Sequence, residues 1–354
     1  MVFMGRRTAA RRLLGFLFAL ALVGLGPATA ARAAEKVTVA ALTFVSSSPL
    51  FIAYEKGYFA EAGLEVEFKF FRAAQPVAVA IAAGDADFGV TAFTAGFFNL
   101  AGKGALKVIG AQLHERAGYD GSAILVSNKA HAAGFTSVEK FPGHSFAMTQ
   151  VGSSFHYMIG RVSEAAGFPL DRVTLKPLQA VPNMIGALKS GQVDAMIIVP
   201  HIAKPLEAAG AARIIGWVRD YAPYQVGGLF TSSRNVAERP ELVRAFAEAY
   251  RKGAGDYAAA FLARDAEGKP VASKTTEETV ALIHRYVYKD NPPEKAFPKI
   301  RNGAMYIDAE ARLDVADVRE QVRWYQDKGL VDASVDPAKI IDTGFLPALP
   351  GSER

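Results

Sequence analysis

The chain has 354 residues, 51% of them hydrophobic, with 40 Lys and Arg against 35 Asp and Glu and no cysteine. That composition can fill two ordinary cores and excludes disulfides and thiolate metal sites. Five of the basic residues are arginines within residues 1–33, where no acid occurs, so the remainder carries 35 of each sign and offers no bulk basic surface for nucleic acid.

The opening "MGRRTAARRLLGFLFALALVGLGPATAARAAEK" sets arginines before an apolar run, Leu13 to Leu25, and then Ala31-Arg32-Ala33. Charge, short apolar core and Ala-x-Ala in that order predict a secretory leader over 1–33, cleaved near Ala33. The core is shorter than the ~20 apolar residues that span a bilayer. The expected location is the periplasm, with no membrane-spanning segment after the leader.

The predicted elements then alternate strand and helix. "KVTVAAL" (36–42) reads as a strand, "PLFIAYEKGYFAEAG" (49–63) as a helix ended by Gly63, and "LEVEFKFF" (64–71) as a half-buried strand. "PVAVAIAAG" (76–84) is a helix begun by proline, and "ADFGVTA" (86–92) and "LKVIGAQL" (106–113) are strands. The same order recurs in "HSFAMTQ" (144–150), "SSFHYMIGRVSEAAG" (153–167), "RVTLKPL" (172–178), "PNMIGALKSG" (182–191), "VDAMIIV" (193–199) and "ARIIGWV" (212–218). Gly84-x-x-Asp87 and Gly191-x-x-Asp194 mark the repeat, each running into an apolar strand.

Such alternation predicts an α/β fold of two lobes, each a mostly parallel sheet flanked by helices. "SAILVSNKA" (122–130) and "QVGGLFTSS" (225–233) read as strands leading from one lobe to the other, a two-strand hinge. The expected division is 34–124 for the first part of lobe one, 125–225 for lobe two, and 226–354 for the completion of lobe one. Helical patterns at 240–263, 275–290 and 310–329 carry no strands and are expected to pack back onto lobe one.

Ligands of open α/β sheets bind beyond the carboxyl ends of the strands, near helix starts. The loops there hold Thr43, Ser46, Ser47 and Ser48 after the first strand, Thr91 after the third, and Thr149, Ser153 and Ser154 after the first strand of the repeat. Phe44, Phe71, Phe93, Phe155, Trp217, Tyr221 and Tyr224 are candidate apolar walls, and Arg72, His114, His156, His201 and Arg219 the available cations. Catalytic patterns are weak. Ser154 and His156 are two apart on a predicted helix and so point to different faces. There is no Gly-x-Ser-x-Gly elbow, no His-x-x-x-His and no phosphate-binding loop. No cofactor is expected.

The succession "SSSPLFIAYEKGYFAEAGLEVEF", "AIAAGDADFGV", "VGSSFHY" and "ALKSGQVDAMII" resembles the nitrate/sulfonate/taurine class of periplasmic solute-binding proteins, whose relatives include binders of thiamine pyrimidine precursors. The resemblance implies a two-lobed, hinge-closing protein that serves an ABC permease and ATPase and meets the membrane only through them, and a cleft that must open and dock argues for a monomer. It implies that Thr43, Ser46, Ser47 and Ser48 meet the ligand from lobe one and that Thr91 and Ala92 line its floor. It also implies that Gly152, Ser153 and Ser154 grip an anionic end. Pro200 and His201 stand where many relatives place an aromatic or acidic residue. The expected ligand is a small organic anion, an alkyl or aryl sulfonate or an aromatic carboxylate. A pyrimidine precursor or other neutral heterocycle is the alternative, and an enzyme of the pyrimidine-synthase-like fold the alternative from another class.

Overall fold

The computed structural model describes Met1 and residues 34–353, so the leader expected at 1–33 lies outside the described residues. In chain order the strands are β1 (Glu35–Ala41), β2 (Leu64–Phe70), β3 (Phe88–Ala92), β4 (Leu106–Ala111), β5 (Leu113–Glu115) and β6 (Ala123–Ser127). They continue as β7 (Ser145–Met148), β8 (Thr174–Pro177), β9 (Ala195–Ile198), β10 (Ala212–Trp217), β11 (Tyr224–Gln225), β12 (Gly227–Ser232) and β13 (Tyr306–Ile307).

Two five-stranded sheets share one plan. The first runs β2-β1-β3-β12-β4 and the second β8-β7-β9-β6-β10. In each, three neighbours pair in parallel and the fourth strand runs antiparallel to both its flanks. Interior strands such as β3, β6 and β9 are apolar runs because helices cover both faces. The edge strand β2 instead alternates, burying Leu64 and Val66 and exposing Glu65 and Glu67. This is the two-lobed α/β fold the repeat predicts.

The two Gly-x-x-Asp motifs do the same job in each lobe. Gly84 and Gly191 end their helices at positive φ. Asp87 Oδ2 accepts from Thr38 N in β1 at 2.9 Å, and Asp194 Oδ2 from Ser145 N in β7 at 2.8 Å. Both carboxylates pin neighbouring parallel strands together, β1 to β3 and β7 to β9.

Three expectations need correction. The chain crosses just upstream of the stretches assigned to the hinge, at β5 and β11. These pair antiparallel, and β13 joins the other edge of β5, so the C-terminal part does contribute a strand. The predicted helix 49–63 breaks at Gly57, whose φ of 78° ends one helix, Ser48–Glu55, before Tyr58–Glu61. The C-terminal helices reach both lobes: Pro240–Phe261 packs on Ser48–Glu55, while Val315–Asp327 lies on the lobe-two helix Ser154–Ala166. Gly160 permits the last contact, since any side chain there would strike the Trp324 ring. No helix among the described residues is long and apolar enough to cross a membrane.

Candidate functional site

The carboxyl ends of the two sheets face each other across an enclosed cavity. Its walls come from the segments after β1 (Leu42, Phe44, Ser46, Ser47), β2 (Ala73, Ala74), the end of β3 (Val90, Thr91, Ala92) and the crossing chain (Gln112, Leu113, Ser122, Val226). Lobe two adds Thr149, Ser154, Phe155, Met158, Val181, Ile198 and Val199. Among the described residues no charged side chain lines it. Three helices of eight or more residues begin at lining residues, Ala74–Ala83, Ser154–Ala166 and Val181–Lys189, and two more, Ser48–Glu55 and Pro200–Ala208, begin one residue after the lining residues Ser47 and Val199. Each turns the positive end of its dipole toward the cavity.

The lobes touch around this space. Ala95 N donates to Gly152 O at 2.8 Å, and Val181 N to Arg72 O at 3.2 Å. The cavity is consequently narrow, about 50 Å³. An open vestibule of about 400 Å³ adjoins it, sharing Leu42, Phe44 and Val181. Thr43, Phe71, Arg72, Tyr288 and Lys299 line the vestibule. Arg72 is exposed there with no side-chain partner among the described residues.

Of the candidates read from sequence, Phe44, Ser46, Ser47, Thr91, Ala92, Thr149, Ser154 and Phe155 come together at the cavity. Thr43, Phe71, Arg72 and His201 gather in the vestibule. His201 is buried edge-on to Phe44, and burial pulls its pKa down to about 3, so the ring is neutral. The remaining candidates do not line the cavity. Ser48 is buried one residue further into its helix, and Phe93 packs on Phe97 and Phe98. Pro200 is the buried first residue of its helix. Arg219 pairs with Asp120 and Asp220 at 3.5 and 3.4 Å and lies over the Trp217 ring. Tyr224 is buried in the crossing ribbon, and His114 in the same ribbon sits 3.4 Å from Asp317. His114, Asp314 and Asp317 bring one donor atom each within 4.8 Å of one another. Both carboxylates, however, already accept backbone amides, from Asp317 and Gln225, so this is a helix cap rather than a set of free ligands.

The turn "VGSSFH" divides its labour. Ser153 is the N-cap, its hydroxyl accepting from His156 N. Gly152 N donates to His156 Nδ1 at 3.1 Å, which ties up that amide. Burial, with a smaller contribution from Lys328, lowers the His156 pKa, so the ring is a neutral acceptor packed edge-on against Trp324. Ser154, the first helical residue, is left with its hydroxyl at the cavity. Sequence reasoning missed Ser122, Met158 and Val181 as lining residues. It also missed Glu115, which is fully buried in β5 behind Ser122. A lone acid in a three-residue strand gives no periodic signal.

The fold is the two-lobed α/β fold of periplasmic binding proteins. The NMT1/THI5-like family profile matches residues 45–260, and the chain belongs to that family. Among solved structures it is similar to the alkanesulfonate-binding protein SsuA from Xanthomonas axonopodis pv. citri bound to MOPS. That match has 17% identity over 87% of this chain and 98% of the other, with a TM-score of 0.67. It is also similar to the periplasmic nitrate-binding protein NrtA from Synechocystis PCC 6803, at 15% identity over 88% and 87%, TM-score 0.65. A DSZB mutant in complex with biphenyl-2-sulfinic acid shares the fold at 15% identity over 88% and 97%, TM-score 0.54. No curated protein sequence matches.

Proposed function

We propose that the chain is the extracytoplasmic solute-binding component of an ABC importer and is not an enzyme. It binds a small organic anion with an apolar portion, an alkyl or aryl sulfonate or an aromatic carboxylate, between its lobes. The observation that carries this reading is the convergence of five helix starts on one cavity whose walls hold no carboxylate. Helix amides and dipoles favour negative charge without a cationic side chain, and Phe44, Phe155 and Met158 suit the apolar portion. The ligand biases a hinge motion about β5 and β11 by touching both lobes. Export to the periplasm, removal of residues 1–33, a monomeric state and docking on a permease–ATPase pair complete the reading.

A neutral heterocycle such as a thiamine pyrimidine precursor is the second reading. The same uncharged, hydroxyl-lined cavity favours it. Titration calorimetry of the purified protein against alkanesulfonates, arylsulfonates, aromatic carboxylates and pyrimidines separates the two. Stoichiometric binding of an anion supports the first, binding of pyrimidines alone the second, and turnover of any compound overturns both.

A further inference from the structure

Three buried polar atoms at the hinge side of the cavity lack partners among the described residues. They are Glu115 Oε2, the Ser122 hydroxyl and the Tyr224 hydroxyl. Unpaired buried polar atoms are rare, and a group of them calls for an occupant or a switch. Glu115 and Tyr224 are directly opposite one another in the β5–β11 pair, so their side chains share a face of the ribbon. Glu115 Oε1 accepts from Ser122 N at 2.8 Å. The Ser122 side chain stands near enough to stabilise the ionised carboxyl, yet its hydroxyl is not in hydrogen-bonding geometry with any group. Ser122 is also the one of the three that lines the cavity.

A serine hydroxyl has a single hydrogen. Beside an ionised Glu115, a rotation of the Ser122 side chain would give that hydrogen to the carboxylate and leave only lone pairs toward the cavity. Beside a protonated Glu115, it accepts the acid's hydrogen and its own is free for a ligand. We propose that Glu115 is a positioning residue that, when protonated, turns the Ser122 hydroxyl into a donor for the bound anion, so that the solute is taken up together with one proton. This rests on the anion reading above and adds to it a residue and a proton.

The surroundings allow it. Burial pushes the Glu115 pKa up to about 7, against the nearby Ser122 side chain and amide and the charges of His114 and Arg219, which lower it. Those cations are partly spent elsewhere, His114 on Asp317 and Arg219 on Asp120 and Asp220. Tyr224 keeps its proton, since burial and the nearby Glu115, Tyr157, Tyr325 and Asp317 all raise its pKa. An anion in the cavity favours the protonated acid further by charge repulsion.

The test is titration calorimetry with 1-butanesulfonate, benzenesulfonate and benzoate between pH 6 and pH 9, in phosphate and in Tris, whose ionisation heats differ. Wild type is expected to take up close to one proton per bound anion at pH 8 and to lose affinity about tenfold per pH unit above it. Glu115→Gln, whose amide donates at every pH, binds with one affinity from pH 6 to pH 9 and takes up no proton. Ser122→Ala leaves the acid in place, loses about tenfold at pH 6 and converges on wild type at pH 9. If the anions bind wild type equally from pH 6 to pH 9, or if Glu115→Gln keeps the wild-type profile, this proposal fails and the anion reading stands. If none of the three binds at any pH, the anion reading fails and takes the proposal with it.

Discussion

The hydroxyl of Tyr325 donates to the backbone carbonyl of Ser153 at 2.9 Å. One end of this bond is on a C-terminal helix and the other on the turn that delivers Ser154 to the cavity. Trp324 Nε1 to Glu164 at 2.7 Å and Arg161 to Glu320 at 3.0 Å extend the same contact. The C-terminal layer therefore ties lobe two to the position it holds here, which the proposed hinge motion takes as the closed one. Tyr325→Phe keeps the ring and removes the bond, which costs the closed state about 1 kcal/mol. Ligand affinity should fall about fivefold, and small-angle scattering of the free variant should give a larger radius of gyration. An unchanged affinity and radius would show that the layer is passive.

Gly152 has φ 78°, and a Cβ there would come within 2.8 Å of Ala95 Cβ across the cleft. Gly152→Ala adds a left-handed backbone penalty of about 1–2 kcal/mol and wedges the lobes apart. Gly167, at φ 74° with open space around it, isolates the first effect. Thermal melts and ligand titration of both variants should show similar destabilisation, with a tenfold or greater loss of affinity only in Gly152→Ala.

The neighbouring serines separate in the same way. Ser153→Ala removes an N-cap and should cost about 1 kcal/mol of stability with little change in affinity. Ser154→Ala removes a hydroxyl at the cavity wall and should weaken an anion several-fold while the melting temperature holds. The reverse pattern in calorimetry and melts would move the anion contact from Ser154 to Ser153.

Glu115 gives a stability prediction that needs no ligand. Its pKa rises from the ordinary 4.5 to about 7 in the folded chain. The folded state binds the extra proton between those values, so its stability falls as pH rises from about 4.5 to 7 and stays lower above. Glu115→Gln should therefore melt higher than wild type at pH 8, by up to about 3 kcal/mol in stability, and match it near pH 5. Equal melting of the two at pH 8 would mean that the carboxyl is solvated in solution.

Much of this architecture was legible because its signals are long or repeated. The apolar runs of β1, β3, β7 and β9 read as buried strands, and Gly84/Asp87 with Gly191/Asp194 announced the repeat. The crossing ribbon was not legible: β5, β11 and β13 have two or three residues, too few to show a period. Trp324 and Tyr325 read as the apolar face of a helix, and nothing local says that the face meets lobe two. Arg219 read as a cleft cation because its partner Asp120 lies far back in the sequence, in the segment before β6. Ser153 and Ser154 are indistinguishable by composition, and only the helix start, placed between them, gives one the cap and the other the cavity.

The antiparallel strands β6 and β12 carry a consequence for how the chain assembles. Every strand of the second sheet lies in one continuous stretch, residues 123–217, whereas the first sheet lacks an interior strand until residues 227–232 arrive. A chain made or threaded from its N-terminus thus completes its middle before its beginning. Until β12 inserts, β3 and β4 present open edges to any other strand. The first lobe is the one left open to mispairing, and ending the chain before Gly227 should leave a folded second lobe attached to a sticky, unfinished first.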